Sequence, residues 1–200
     1  MPMKTIKEGQ FVDMLKGSGI EIDLRYPQSS DLSYGTYDYS RFWLVPQEAR
    51  RIPYFVKTII ESIDEWQFVH IWKHRGSWTT KIKGERINDD LQSIIFAGIG
   101  IPDATADIIL LDRNESTRLI ALMFNQLVFG WGVQDDIYII PDHRNAIVKT
   151  SHHNVIHTEF PTETLLNKFI DSMTKEGFDL PRDIPDATFK RPKWMKSKNG

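Results

Sequence analysis

The stretch Asp136–Phe160, DIYIIPDHRNAIVKTSHHNVIHTEF, decides the fold. Three apolar-rich runs, Asp136–Ile140, Ala146–Ser151 and Val155–Phe160, are separated by two short polar breaks, 141–145 and 152–154. β-Branched and aromatic residues fill the runs, and Pro, Asp and Asn fill the breaks, which is the pattern of an antiparallel meander. Asn154 closes a three-residue loop where such hairpins need a left-handed residue. With His152-His153-Asn154 as that loop, Ser151 pairs with Val155, Lys149 with His157, and Ile147 with Glu159. Side chains alternate faces along a strand. Val148, Thr150, Ile156, Thr158 and Phe160 then form the core side, leaving Lys149, His157 and Glu159 on a wet side.

Three of the six histidines lie within this meander between positions 152 and 157. His152, His157 and Glu159 make the candidate catalytic set, that of a metal-assisted hydrolase. Two features weigh against it. Lys149 opposite His157 adds positive charge where a cation would bind. His143 lies across a strand, roughly 20 Å from His152 at about 3.3 Å per residue. A structural zinc site needs four ligands and a catalytic one usually three. The expectation is a solvated hairpin with no metal and no cofactor.

Working outward, helical spacing marks Gln10–Lys16, Pro53–Ile63, Asn88–Ala97 and Thr164–Lys175, the last opened by Pro161-Thr-Glu. Strand patterns fall at Ile20–Leu24, Tyr37–Val45, Gln67–Lys73 and Asp107–Asp112, and a Pro/Ser/Asp-rich loop runs to Ser33. Residues 114–128 fit a buried helix capped by Asn114 slightly better than a hairpin strand at Arg118–Phe124. Strands and helices in clusters, without regular alternation, define an α+β fold: an antiparallel sheet with helices on one face. One domain over 1–180 and a Pro-containing basic extension over 181–200 account for the 200 residues.

Composition excludes several classes. A chain with 40% hydrophobic and 26% charged residues is globular rather than disordered. Cysteine is absent, which removes disulfides, thiolate ligands and cysteine nucleophiles together. The N-terminal residues carry no apolar h-region and no run approaches a membrane span, so the expectation is a soluble, cytoplasmic protein without a membrane partner. A net charge of −2 favours no particular partner.

Catalytic signatures are missing from the sequence: there is no G-x-S-x-G, no G-x-x-x-x-G-K-[ST], no H-E-x-x-H and no G-x-G-x-x-G. No carboxylate stands two residues before a lysine, the spacing one large class of metal-dependent nucleases uses. Gly17-Ser-Gly19 and Gly98-Ile-Gly100 read as helix stops. Asp89-Asp90 suits the first turn of a helix, and neighbouring carboxylates such as Asp135-Asp136 point apart on a strand.

Aromatic density is the unusual feature. Eleven of the 23 Phe, Trp and Tyr residues fall between Tyr34 and Trp78. Tyr37, Tyr39, Arg41 and Trp43 share one face of a strand, and their residue types are those enriched at binding hot spots. Phe68 and Trp72 fit a core face better. Lys73, Arg75, Lys81, Lys83 and Arg86 follow, and together with the basic tail these groups among aromatics suit single-stranded nucleic acid. No nucleic-acid-binding motif accompanies them. The preferred reading is a non-catalytic protein-binding domain contacting a partner through Tyr37, Tyr39, Arg41 and Trp43, with self-association open to it. Its size and lack of cysteine are shared with immunity-type and accessory proteins of bacteria. The hydrolase and nucleic-acid readings stand behind it.

Overall fold

The computed structural model describes residues 4–23, 31–35, 39–73, 94–101, 108–129, 137–151 and 155–178. Tyr37, His152, Arg75, Lys81, Lys83, Arg86, both Asp-Asp pairs and the extension 181–200 lie outside the described residues. So does residue 154, where the left-handed Asn was expected.

The order of elements is β1 (Lys4–Ile6), α1 (Glu8–Leu15), β2 (Glu21–Asp23), β3 (Asp31–Ser33), β4 (Ser40–Leu44) and α2 (Ile52–Ser62). Then come β5 (Phe68–Lys73), α3 (94–98 as described), β6 (Ile108–Asp112), α4 (Ser116–Phe129), β7 (Ile137–Pro141), β8 (Ile147–Ser151), β9 (Val155–Glu159) and α5 (Glu163–Lys175). Seven strands form one antiparallel sheet in the order β1-β6-β5-β7-β8-β9-β4, and β2 pairs with β3 in a separate hairpin. The fold is α+β, as the clustering of elements implies.

Both faces of the sheet are covered, which explains why its central strands read as continuous apolar runs. Val69, Ile71, Ile109, Ile139 and Val148 face the larger core, against Phe55 and Ile59 of α2, Leu122 and Met123 of α4, and Phe169 of α5. Trp72, Ile108, Tyr138, Ile140 and Ile147 face a smaller core, closed by Phe11 and Leu15 of α1 and by Ile20 and Leu32. Helices α2, α4 and α5 thus share one face, with Phe96 of α3 in the same core, while α1 lies on the other beside the β2–β3 hairpin.

The helix–hairpin ambiguity at 114–128 is settled in favour of the helix. Leu119, Leu122, Met123 and Leu127 are all buried, at a spacing only a helix can bury together. Asp112 caps the 3-10 turn Arg113–Glu115 that leads into α4: its carboxylate accepts from Asn114 N at 2.9 Å, and Glu115 reaches back to Asp112 N, so Asn114 lies inside the turn rather than at its cap. At α5, Thr162 Oγ1 accepts from Leu165 N, and Gly177, with φ of 78°, ends the helix.

The meander has the register read from the sequence: Ser151 opposite Val155, Lys149 opposite His157 and Ile147 opposite Glu159. Two short strands escape the sequence reading. β1 carries too little apolar residue to declare itself, and β3 occupies the end of a segment read as loop to Ser33. Leu32 is the one apolar residue of β3, and it is buried in the smaller core.

Candidate functional site

Val148, Thr150, Ile156, Thr158 and Phe160 are buried, as the alternation requires. Their opposite face is not simply wet. Glu159 is 1% exposed, and its Oε1 accepts from Ser33 Oγ at 2.7 Å and from Tyr34 N at 2.7 Å. The carboxylate therefore fastens the β2–β3 hairpin over β9. A buried carboxylate is tolerable because charge-assisted hydrogen bonds replace its water. The sequence pattern missed this because the covering layer comes from more than 120 positions upstream. Tyr34 completes the fastening, its hydroxyl donating to Arg144 O at 2.6 Å. Burial, reinforced by Glu159, pushes the Tyr34 phenol far above its ordinary pKa, so it stays a donor.

His157 is half-buried, and its ring stacks on Phe42 with centroids 4.5 Å apart. With Glu159 engaged by the hairpin, the pair reads as a structural seam. Among the described residues no cluster of three or more His, Cys, Asp or Glu is placed to hold a metal ion.

The aromatic face of β4 is reversed from expectation. Trp43 is 1% exposed, packs edge-on against Phe169 at 5.6 Å, and donates from Nε1 to Thr158 Oγ1 at 2.9 Å. That hydrogen bond lets an indole enter the core. Tyr39 is partly buried against the same core, and the Arg41 guanidinium folds back onto Ser40 O at 2.6 Å. The Tyr39–Arg41–Trp43 side is thus the inner one, and Trp43 is withdrawn from any contact surface. The open side carries Phe42 and Leu44, 50% and 51% exposed. Alternation gave the two faces correctly, but aromatics populate both, so composition alone could not orient the strand. One signal pointed to the edge: Pro46 lies two residues past β4, and proline belongs at edge strands.

On β5, Trp72 is buried with Nε1 donating to Glu8 Oε1 at 3.1 Å, while Phe68 is 39% exposed at the strand end. Lys73 closes β5 opposite Ile137. His70, between them, is 4% exposed, lies against Phe11 and Phe68, and leaves Nδ1 without a hydrogen bond among the described residues. The sequence gives no sign that this histidine, rather than those of the meander, is the deeply buried one.

β4 ends the sheet, and it has no strand on its far side among the described residues. Its hydrogen-bond parity follows from one contact. Phe160 N donates to Tyr39 O at 3.1 Å, so this opposed pair is a hydrogen-bonded one. In an antiparallel ladder such pairs alternate with non-bonded pairs. Arg41 and Trp43 therefore bond to β9, whereas Ser40, Phe42 and Leu44 turn their N–H and C=O groups away from it. The close Phe42–His157 stack agrees, since non-bonded pairs bring side chains nearer.

No protein-family model matches the chain, and no curated protein or solved structure matches it either. No helix among the described residues is long and apolar enough to cross a membrane.

Proposed function

We propose that this chain is a non-catalytic protein-binding domain that receives an extended polypeptide strand along β4. One observation carries the reading: β4 turns backbone groups outward at Phe42 and Leu44, whose apolar side chains are also half exposed. Strand addition takes its affinity from main-chain hydrogen bonds and its selectivity from alternate side chains. An apolar edge with no further strand beside it among the described residues is one that proteins otherwise cover or charge.

Amide hydrogen exchange tests it. A protein captured from native lysate, with nuclease present, should slow exchange at Phe42 and Leu44 N–H while leaving Arg41 and Trp43, already bonded to β9, nearly unchanged. Phe42→Lys should abolish capture, whereas Ile94→Lys, at an exposed apolar residue on α3, should not. Uniform protection along 40–44, or capture indifferent to Phe42→Lys, refutes strand addition.

A further inference from the structure

We infer that α1 is an acid-released cover: protonating His70 frees this helix from the sheet while the larger core stays folded. The inference stands apart from whatever β4 receives. His70 lies on β5 inside the sheet, opposite Leu110 of β6 and Ile140 of β7. It is 4% exposed, and the Phe11 ring of α1 covers it with centroids 5.7 Å apart. Its Nδ1 has no hydrogen-bond partner among the described residues. A neutral imidazole can leave one nitrogen as an unused acceptor, whereas the imidazolium makes both nitrogens donors. A charged N–H would then face apolar groups with neither water nor an acceptor. Since Phe11 forms the cover on that side, lifting α1 brings water to the charged ring.

The surrounding groups hold the ring neutral while α1 is closed. Burial disfavours the imidazolium; the Ile140 backbone opposes this, Arg144 adds to it, and Asp142 opposes it. Both charged groups come from the turn between β7 and β8. Asp142 is itself engaged by Gln67 N at 3.2 Å and does not reach Nδ1. Tyr34 donates to Arg144 O, and its raised pKa keeps the phenol neutral. α1 brings Phe11 and, one turn earlier, Glu8, whose Oε1 accepts from Trp72 Nε1 at 3.1 Å. Leu110, Phe68 and Trp72 carry no titratable group. The helix is lightly held: α1 buries Phe11 and Leu15, whereas α2 buries six residues. Phe11 and Leu15 belong to the smaller core, a cluster separate from the one that holds α2, α4 and α5. Release of α1 is thus a local opening, short of unfolding.

Residue-resolved hydrogen exchange of the full chain at about pH 7.5 and about pH 5.5, expressed as protection factors, tests the inference. In the open form His70 titrates near its ordinary value of about 6.5, so proton uptake favours opening below that pH. Linkage to one proton raises the opening equilibrium by up to about tenfold across this interval. Phe11 N and Lys16 N donate to Lys7 O and Val12 O within and at the end of α1. Their protection should lie below that of Ile71 at both pH values and should fall on acidification towards that tenfold limit. Leu166 N, which donates to Thr162 O at the start of α5, opens without exposing His70 and should hold its value. His70→Phe should abolish the fall at α1. Arg144→Gln, which lets His70 take its proton with α1 in place, should shrink it, and this variant decides the matter if His70→Phe does not fold. Protection at α1 equal to that of Ile71 overturns the inference, because the opening is then global. So does protection at α1 that is the same at both pH values. A fall that persists in His70→Phe, or is undiminished in Arg144→Gln, overturns it as well.

Discussion

At the scale of single residues, the buried polar groups carry the sharpest consequences. Burial pulls the His70 imidazole below its ordinary value; the Ile140 backbone opposes this, Arg144 adds to it, and Asp142 opposes it. A histidine depressed in the folded state binds protons more readily when unfolded. Its stabilising contribution is present above about pH 6.5 and is lost as pH falls below that value. Urea midpoints should therefore drop on acidification from about pH 7.5 to about pH 5.5. His70→Phe, which fits the ring's contacts with Phe11 and Phe68, should reduce that slope. Glu159 makes a second case. Glu159→Ala orphans the Ser33 hydroxyl and the Tyr34 amide, and should cost about 1–3 kcal/mol by chemical denaturation. Ser33→Ala in that background should add little, because the shared hydrogen bond is already gone and only the exposed bond from Gly35 N to Ser33 Oγ remains to be lost. Neither role was legible in the sequence. A histidine between Phe68 and Trp72, or a glutamate beside Thr158, reads as exposed or buried only once the covering α1 and the β2–β3 hairpin are known.

Elements separate what binds from what holds the fold. Adjacent residues of β4 should behave oppositely. Trp43→Ala empties a core site against Phe169 and Thr158 and should cost about 3–5 kcal/mol. Phe42→Ala should stay within about 1 kcal/mol, since half of that side chain is already in water. Thermal melts of the two variants check the assignment of faces. At α5, Thr162→Ala removes the cap that accepts from Leu165 N, at about 1 kcal/mol. Elements with strong periodicity were legible: α2, α4, α5 and the whole β7–β9 meander, register included. Of the three-residue strands, β2 was legible within the pattern Ile20–Leu24, but β1 and β3 were not, because so short an alternation carries too little signal to stand above loop composition. The candidate contact strand was legible as a strand with two distinct faces. Its orientation was not, since choosing the core side requires knowing that Thr158 waits opposite the Trp43 indole.

For the whole molecule, sheet order predicts a gradient of local stability. β5 and β7 are flanked by strands on both sides and covered on both faces. Amides of Ile71 and Ile139 should exchange with hydrogen only at the global unfolding free energy, while outward amides of β4 and β1 exchange through local opening. Protection that is flat across the sheet would contradict this arrangement. The α+β class was readable from the clustering of strands and helices. The two-sided core was not, although the unbroken apolar run of β7 is its trace.

The position of β4 also bears on how the chain is made. Trp43 and the Thr158 that receives its N–H stand 115 positions apart. At about 5–20 residues per second, a ribosome takes roughly 6 to 23 seconds to pass from one to the other. Throughout that interval the stretch Phe42-Trp43-Leu44 has been synthesised and β9 has not. The strand that ends the finished sheet is thus an early, unmatched apolar segment of the nascent chain, and a natural first hold for a chaperone.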